Sequence, residues 1–426
     1  MFHKDDASSS SPSSPKLRTT KENEDMRKRR RKRISLLLYF LMCIGVAFQI
    51  SGANWDIVWH GVRNVESFIT PPHAAIYSGV ALTIGSIIFR SVSFYLPRLA
   101  MVKAKHTNNR RQISFSPTLN VFKSDPPHHK SPRLPLPMKL AIIGAILQLT
   151  AGPFDYWWHS NFGFDGLLSP SHSILVTGML MAALGGLFGI YGHYKDNSSS
   201  CAVKASLAVS FGVFLMVAAG MIFMFTLPFS KGTHLDFNPQ PFAAIWAEVI
   251  LIPFVMGLSL FLVSSSTKMP FIFTSITCVI ITMQASTTII SNSYFAWLFP
   301  FYILNILPAL VTDVILILFN RFGSNNNEKN GNGKIKDTSI DLNKRYFIAS
   351  ILLSSFFITL FFPWTVYVLY GFFKPSNEIR TEEFLLQLLF PIILPVVIPV
   401  SLISSSIGVY TIQKLNSRMK TRVHHT

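Results

Sequence analysis

Ten apolar stretches run along this chain, near residues 34–52, 72–96, 137–155, 170–192, 204–227, 242–265, 269–291, 294–319, 346–372 and 384–411. Each has about the ~20 residues that carry a helix across the hydrocarbon core of a bilayer, or somewhat more. Backbone in that core must satisfy its own hydrogen bonds, so the stretches are expected to be helices. The expected fold is all-α: a polytopic membrane helix bundle of about ten transmembrane helices in five hairpins. Composition agrees. Half of the 426 residues are hydrophobic and only 14% are charged, where a soluble globular chain carries about a quarter. Disorder, a fibrous repeat and a plain cytosolic enzyme are excluded. Three cysteines, Cys43, Cys201 and Cys278, exclude a disulfide framework and a Cys-rich zinc module.

The net charge is +18. Its distribution argues against nucleic acid as a partner, because the basic residues fall between apolar spans and not in one stripe. They lie in a tail, 1–33, ending in seven consecutive cations from Arg27 to Arg33, and in the loops 97–136, 193–203, 265–268 and 320–345. A further set, Lys414, Arg418, Lys420 and Arg422, falls at and beyond the end of the last span. Loops rich in Lys and Arg stay on the cytoplasmic side. The expectation is an integral protein of the cell membrane with both termini cytoplasmic and with 53–71 and 156–169 facing outward. The chain divides into a disordered basic tail (1–33), a first hairpin (34–96), a basic loop (97–136), a second hairpin (137–192), a third hairpin (204–265), a four-helix region (269–411) and a short tail (412–426).

The first two hairpins repeat each other. Trp55-Asp56-Ile57-Val58-Trp59-His60 returns as Phe154-Asp155-Tyr156-Trp157-Trp158-His159, and Thr70-Pro71-Pro72-His73 as Ser169-Pro170-Ser171-His172. Glu66 returns as Asp165, and the offset is 99 residues throughout. This is an internal duplication. The third hairpin reads as a degenerate copy, with Phe225, Phe229 and Phe242 at the places of Asp56, His60 and His73.

The shared pattern is Asp-x3-His-x12-His. Asp and His four apart lie one helical turn apart on one face. The second His opens the next span, where Thr70 or Ser169 is placed to cap and Pro71 or Pro170 suits the first helical position. The hairpin therefore folds the second His toward the first pair. Two imidazoles and a carboxylate suit Cu(II), Zn(II) or non-haem Fe(II), with positions left for water or substrate. The alternative is that Asp and His pair at the water interface and cap helices. Trp59 and Trp158, with Trp55 and Trp157, read as an interfacial aromatic belt or as apolar packing around the ligands. Glu66 and Asp165 read as solvated loop residues or as partners for an imidazole N–H.

The strings Asp-x-x-Trp-His and Ser-Pro-Ser-His resemble the C subunit of particulate methane monooxygenase and ammonia monooxygenase. The resemblance covers two segments of about twenty residues each. It implies a copper site within the membrane near its outer face, with Asp155, His159 and His172 as ligands and, by the duplication, Asp56, His60 and His73. Beside the lipid bilayer, it implies partners among the other subunits of such a monooxygenase or further copies of the chain. The family's later Asn and His-His cluster has no counterpart here.

Glu248 and Asp313 fall inside spans, where a carboxylate is by default a proton or ion pathway residue. Three functions follow: a copper protein, as oxygenase component or in copper handling; a zinc-dependent intramembrane hydrolase; and a transporter. The topology is directly testable. Cysteines introduced at Asn64 and Asn161 should react with an impermeant reagent in intact cells, whereas one at Asn108 should not. The reverse pattern would invert the orientation.

Overall fold

The computed structural model describes residues 15–63, 70–111, 134–163, 168–226, 241–291, 303–304, 306–327, 338–363 and 385–423. Among these there is no strand. The helices are α1 (Pro15–Arg63), α2 (Pro71–Arg111), α3 (Leu136–Phe162), α4 (Pro170–Asp196), α5 (Cys201–Thr226), α6 (Pro241–Thr267), α7 (Ile272–Ser291), α8 (Ile306–Asn327), α9 (Thr338–Pro363) and α10 (Ile398–Val423). A wide-turned π segment, Leu385–Val397, leads into α10. It holds Pro391 and Pro395, which lack the N–H that an α-helical turn needs. Seven helices are long and apolar enough to cross a bilayer, and Ile272–Thr287 and Ile306–Phe319 are shorter apolar helices. The protein is a helical membrane bundle.

One expectation is corrected at the N-terminus. The basic tail is helical from Pro15, continuous with the first span, and Asp25 to Arg33 are exposed along it. Lys and Arg are good helix formers, and Glu24 and Asp25 stand one turn before Lys28 and Arg29, a favourable spacing. Lys32 also reaches Asp196 at the end of α4, at 2.8 Å.

The first two hairpins are tight antiparallel pairs, α1 with α2 and α3 with α4. Glycine sets their approach. A Cβ on Gly144 would stand 2.6 Å from the Gly178 carbonyl oxygen and 2.7 Å from the Ala182 nitrogen. Gly45 meets Gly79 and Thr83 in the same way, at the 99-residue offset. Small residues let backbones close up where lipid supplies no hydrophobic drive for association. Gln49 and Gln148 lie at equivalent places, each with its stem against the facing glycine, Gly79 or Gly178. The duplication seen in the sequence is thus a duplication of helix register.

The rest of the bundle packs differently. α4 also lies against α1, where Gly186 and Gly189 face Cys43 and Tyr39. α5 packs on α4 and α7, whereas α6 packs mainly on α9 and α10. The third hairpin is therefore not a tight pair like the first two. Phe225 is exposed, Phe229 lies outside the described residues, and so does the side chain of Phe242.

The seam carries a stability prediction. Gly144→Val drives a side chain into backbone that cannot yield, and overpacking of this kind costs about 1–3 kcal/mol. Its thermal unfolding midpoint in detergent should fall. Gly152→Ala is the control, since a Cβ there meets nothing within 4 Å, and should leave the midpoint in place.

Candidate metal centre

The N-terminus of α4 is built as its sequence dictates. Ser169 is the N-cap, with extended backbone, and Pro170 fills the first turn. The Ser169 hydroxyl oxygen accepts the His172 N–H at 3.1 Å. Opposite, α3 stops at Gly163, whose φ of 75° favours glycine, and the Gly163 N–H closes on the His159 carbonyl. The α3–α4 seam brings these two ends together, with Asp155 opposite Ser171.

Asp155 Oδ1 is the meeting point. His159 Nε2 stands 3.3 Å from it and His172 Nε2 3.4 Å. The three candidate donor atoms all lie within 4.8 Å of one another, and among the described residues this is the one such group of His, Cys, Asp or Glu. The spacing is informative. A charge-assisted N–H···O bond is typically about 2.7–2.9 Å. In a tetrahedral site with bonds of about 2.0–2.1 Å, neighbouring donors stand about 3.3–3.4 Å apart. The two Asp–His separations fall close to the second spacing, and the three donors all lie within 4.8 Å, so an ion would need to draw the group only slightly together. Partial exposure, 11% for His159, 23% for Asp155 and 30% for His172, leaves a side open for a further ligand.

Hydrogen bonds orient the donors. His159 Nδ1 lies 3.1 Å from the Gly163 carbonyl oxygen. A carbonyl only accepts, so Nδ1 carries a proton, and in the neutral ring Nε2 is the lone pair available to a metal. On the carboxylate side, the Ser171 hydroxyl donates to Asp155 Oδ1 at 2.6 Å. Ser171 has one proton to give, so at the 2.9 Å Ser169–Ser171 contact Ser169 is the donor. The chain therefore runs from the His172 N–H through Ser169 and Ser171 to Asp155, all in one direction. Ser169 and Ser171 are fully buried, which fixes their geometry.

In the first copy, His73 Nε2 stands 3.4 Å from Asp56 Oδ2. The Thr70 hydroxyl oxygen faces the His73 N–H at 3.4 Å, a long version of the Ser169 cap. Pro72 occupies the Ser171 place and has no hydroxyl to give. His60 lies on α1 one turn beyond Asp56, but its side chain is outside the described residues, as are Glu66 and Asp165 altogether.

The remaining sequence candidates separate. Trp158 is buried and packs on Phe162 with ring centroids 4.5 Å apart. Trp157 is half exposed, as a belt residue would be. Trp59 lies edge-on to Trp55 at 6.5 Å. Asp313 is buried, but its carboxylate accepts the Thr274 N–H at 2.7 Å and the Thr274 hydroxyl at 2.8 Å. It therefore caps the first turn of α7 from a neighbouring helix. Glu248 is buried in α6, at 2% exposure.

The sequence pattern carries no site assignment for Ser171 or for Tyr77, whose ring stacks on His73 with centroids 6.0 Å apart. The signal for Ser171 was its place within Ser-Pro-Ser-His. Tyr77 had none, since its repeat equivalent is Val176. The chain matches no protein-family model, and neither curated proteins nor solved structures give a match.

Residues that orient a metal ligand are worth about 10–100-fold in affinity. Ser171→Ala should therefore weaken binding of a divalent ion at least about tenfold in a calorimetric titration, with helix content unchanged. Unaltered affinity would mean that the serine chain does not hold Asp155.

Proposed function

We propose that this is an integral membrane copper protein, related to the C subunit of copper membrane monooxygenases, acting as an oxygenase component or in copper handling. The observation that carries the reading is the approach of two imidazole nitrogens, at 3.3 and 3.4 Å, to one oxygen of Asp155. Asp155, His159 and His172 would hold the ion, and Asp56, His60 and His73 a second. Bound copper would supply one-electron redox chemistry at a position open to water or a substrate.

The chain's own residues do the rest. The Gly163 carbonyl keeps the proton of His159 on Nδ1, away from the site. Ser171 steadies the charged carboxylate, which offsets the charge of a cation at low dielectric. Trp158, buried next to His159 in the chain, packs on Phe162 and would add apolar packing around the ligands.

Copper is preferred on two grounds. A site of this donor type binds Cu(II) above Zn(II) in the usual order of divalent affinity. An outward-facing site would also meet extracytoplasmic metal, away from the reducing cytosol. We assign ten spans with both termini cytoplasmic. Seven long apolar helices and two shorter ones support nine of these, and α9 contributes the tenth. Asp313 is spent on capping α7, which weakens a transporter reading built on intramembrane carboxylates.

Aerobically purified protein should give a Cu(II) electron paramagnetic resonance signal with nitrogen hyperfine structure. Copper binding needs neutral His and ionised Asp, so the signal should weaken as pH falls below the reference His value of about 6.5. Asp155→Ala, His159→Ala and His172→Ala should each diminish it. Zinc-loaded, resonance-silent protein from copper-replete cells would instead support a zinc hydrolase.

A further inference from the structure

The first two hairpins form a ring: α1 contacts α2, α2 contacts α3, α3 contacts α4, and α4 contacts α1. The Asp–His clusters occupy opposite seams of it. Asp56 and His73 lie between α1 and α2, and Asp155, His159 and His172 between α3 and α4. They also stand at one height. A Cβ on Gly186 of α4 would meet Cys43 of α1, and one on the adjacent Gly185 would meet Ala141 of α3. Cys43 and Ile142 are repeat equivalents, so α1 and α3 are level at that depth. Asp56 and Asp155 each lie thirteen residues further along, and so are level too.

Packed helix axes are about 8–10 Å apart, which sets the centres of opposite seams about 10 Å apart. Tyr77, one turn beyond His73 on α2, stacks its ring on His73 with centroids 6.0 Å apart.

We propose that the two Asp–His clusters are one coupled two-ion centre that fills in a fixed order. The inference rests on the metal reading above and adds the interaction between the two ions and the order in which they bind. A divalent ion beside one carboxylate leaves a net charge of about +1. Two such charges about 10 Å apart, at an effective dielectric constant of about 20, disfavour double occupancy about tenfold. The α3–α4 site fills first, because Ser171 orients Asp155 and Pro72 has nothing to offer Asp56. The α1–α2 site takes the second ion more weakly.

The test is titration of the purified full chain with Cu(II) alone, followed by bound copper and by electron paramagnetic resonance. Two equivalents should bind, and dipolar broadening should appear as the second enters. His73→Ala should remove both the second equivalent and the broadening, and so should Asp56→Asn, which preserves side-chain size. In His172→Ala the one remaining ion should bind about tenfold tighter than the second equivalent does in the unmodified chain. Two equivalents without spin coupling would overturn the inference and leave the proposed function standing. So would a single equivalent lost only in His172→Ala. Absence of any bound copper would overturn the proposed function itself.

Discussion

The close seam between α3 and α4 is what the site depends on. Gly144 and Gly178 let the two backbones touch, and that contact fixes the register. In that register Asp155 of one helix end faces Ser171 of the other, and a hydroxyl proton reaches the carboxylate at 2.6 Å. One residue of slip would rotate Asp155 about 100° around α3 and take it out of reach of His172. A charged group in or near a bilayer is costly unless it is compensated. The seam supplies the compensation, and it also collects three potential donors on one side of a helix end.

The two hairpins share this frame and have diverged within it. In the first, Gln49 donates to Thr83 at 3.0 Å. In the second, Thr83 has become Ala182, and Gln148 keeps its place against Gly178. At the site the exchange runs the other way: Ser171 of the second copy is Pro72 in the first. Each hairpin has kept its backbone register and its Asp and His spacing while the neighbouring hydrogen-bonding groups changed. That pattern fits two centres of unequal strength on one scaffold.

Much of this was legible in the sequence. Length and apolarity announced membrane helices, and the 99-residue echo announced two like hairpins. Asp-x3-His-x12-His, read with its Ser-Pro cap, placed the second His against the first pair. What escaped was tertiary. The glycine register is invisible without knowing which helix faces which. The role of Ser171 depends on that register, because sixteen residues separate it from Asp155. Asp313 reads in the sequence as a pathway residue, since an intramembrane carboxylate carries that prior. Its capping of Thr274 could be seen only once α7 and α8 were placed together. The helical start at Pro15 was missed because a charged, Ser- and Pro-rich tail was read by composition alone, although its later residues favour helix.

The central claim is that Asp155, His159 and His172 hold one metal ion. X-ray absorption at the metal edge of the purified protein tests it most directly. The account predicts a nitrogen and oxygen shell at about 2.0 Å, with outer-shell scattering from two imidazoles per ion, and, with the first copy silenced by His73→Ala, loss of part of that scattering when His172→Ala is added. A shell dominated by sulfur at about 2.3 Å, or a spectrum unchanged by His172→Ala in the His73→Ala background, would contradict it.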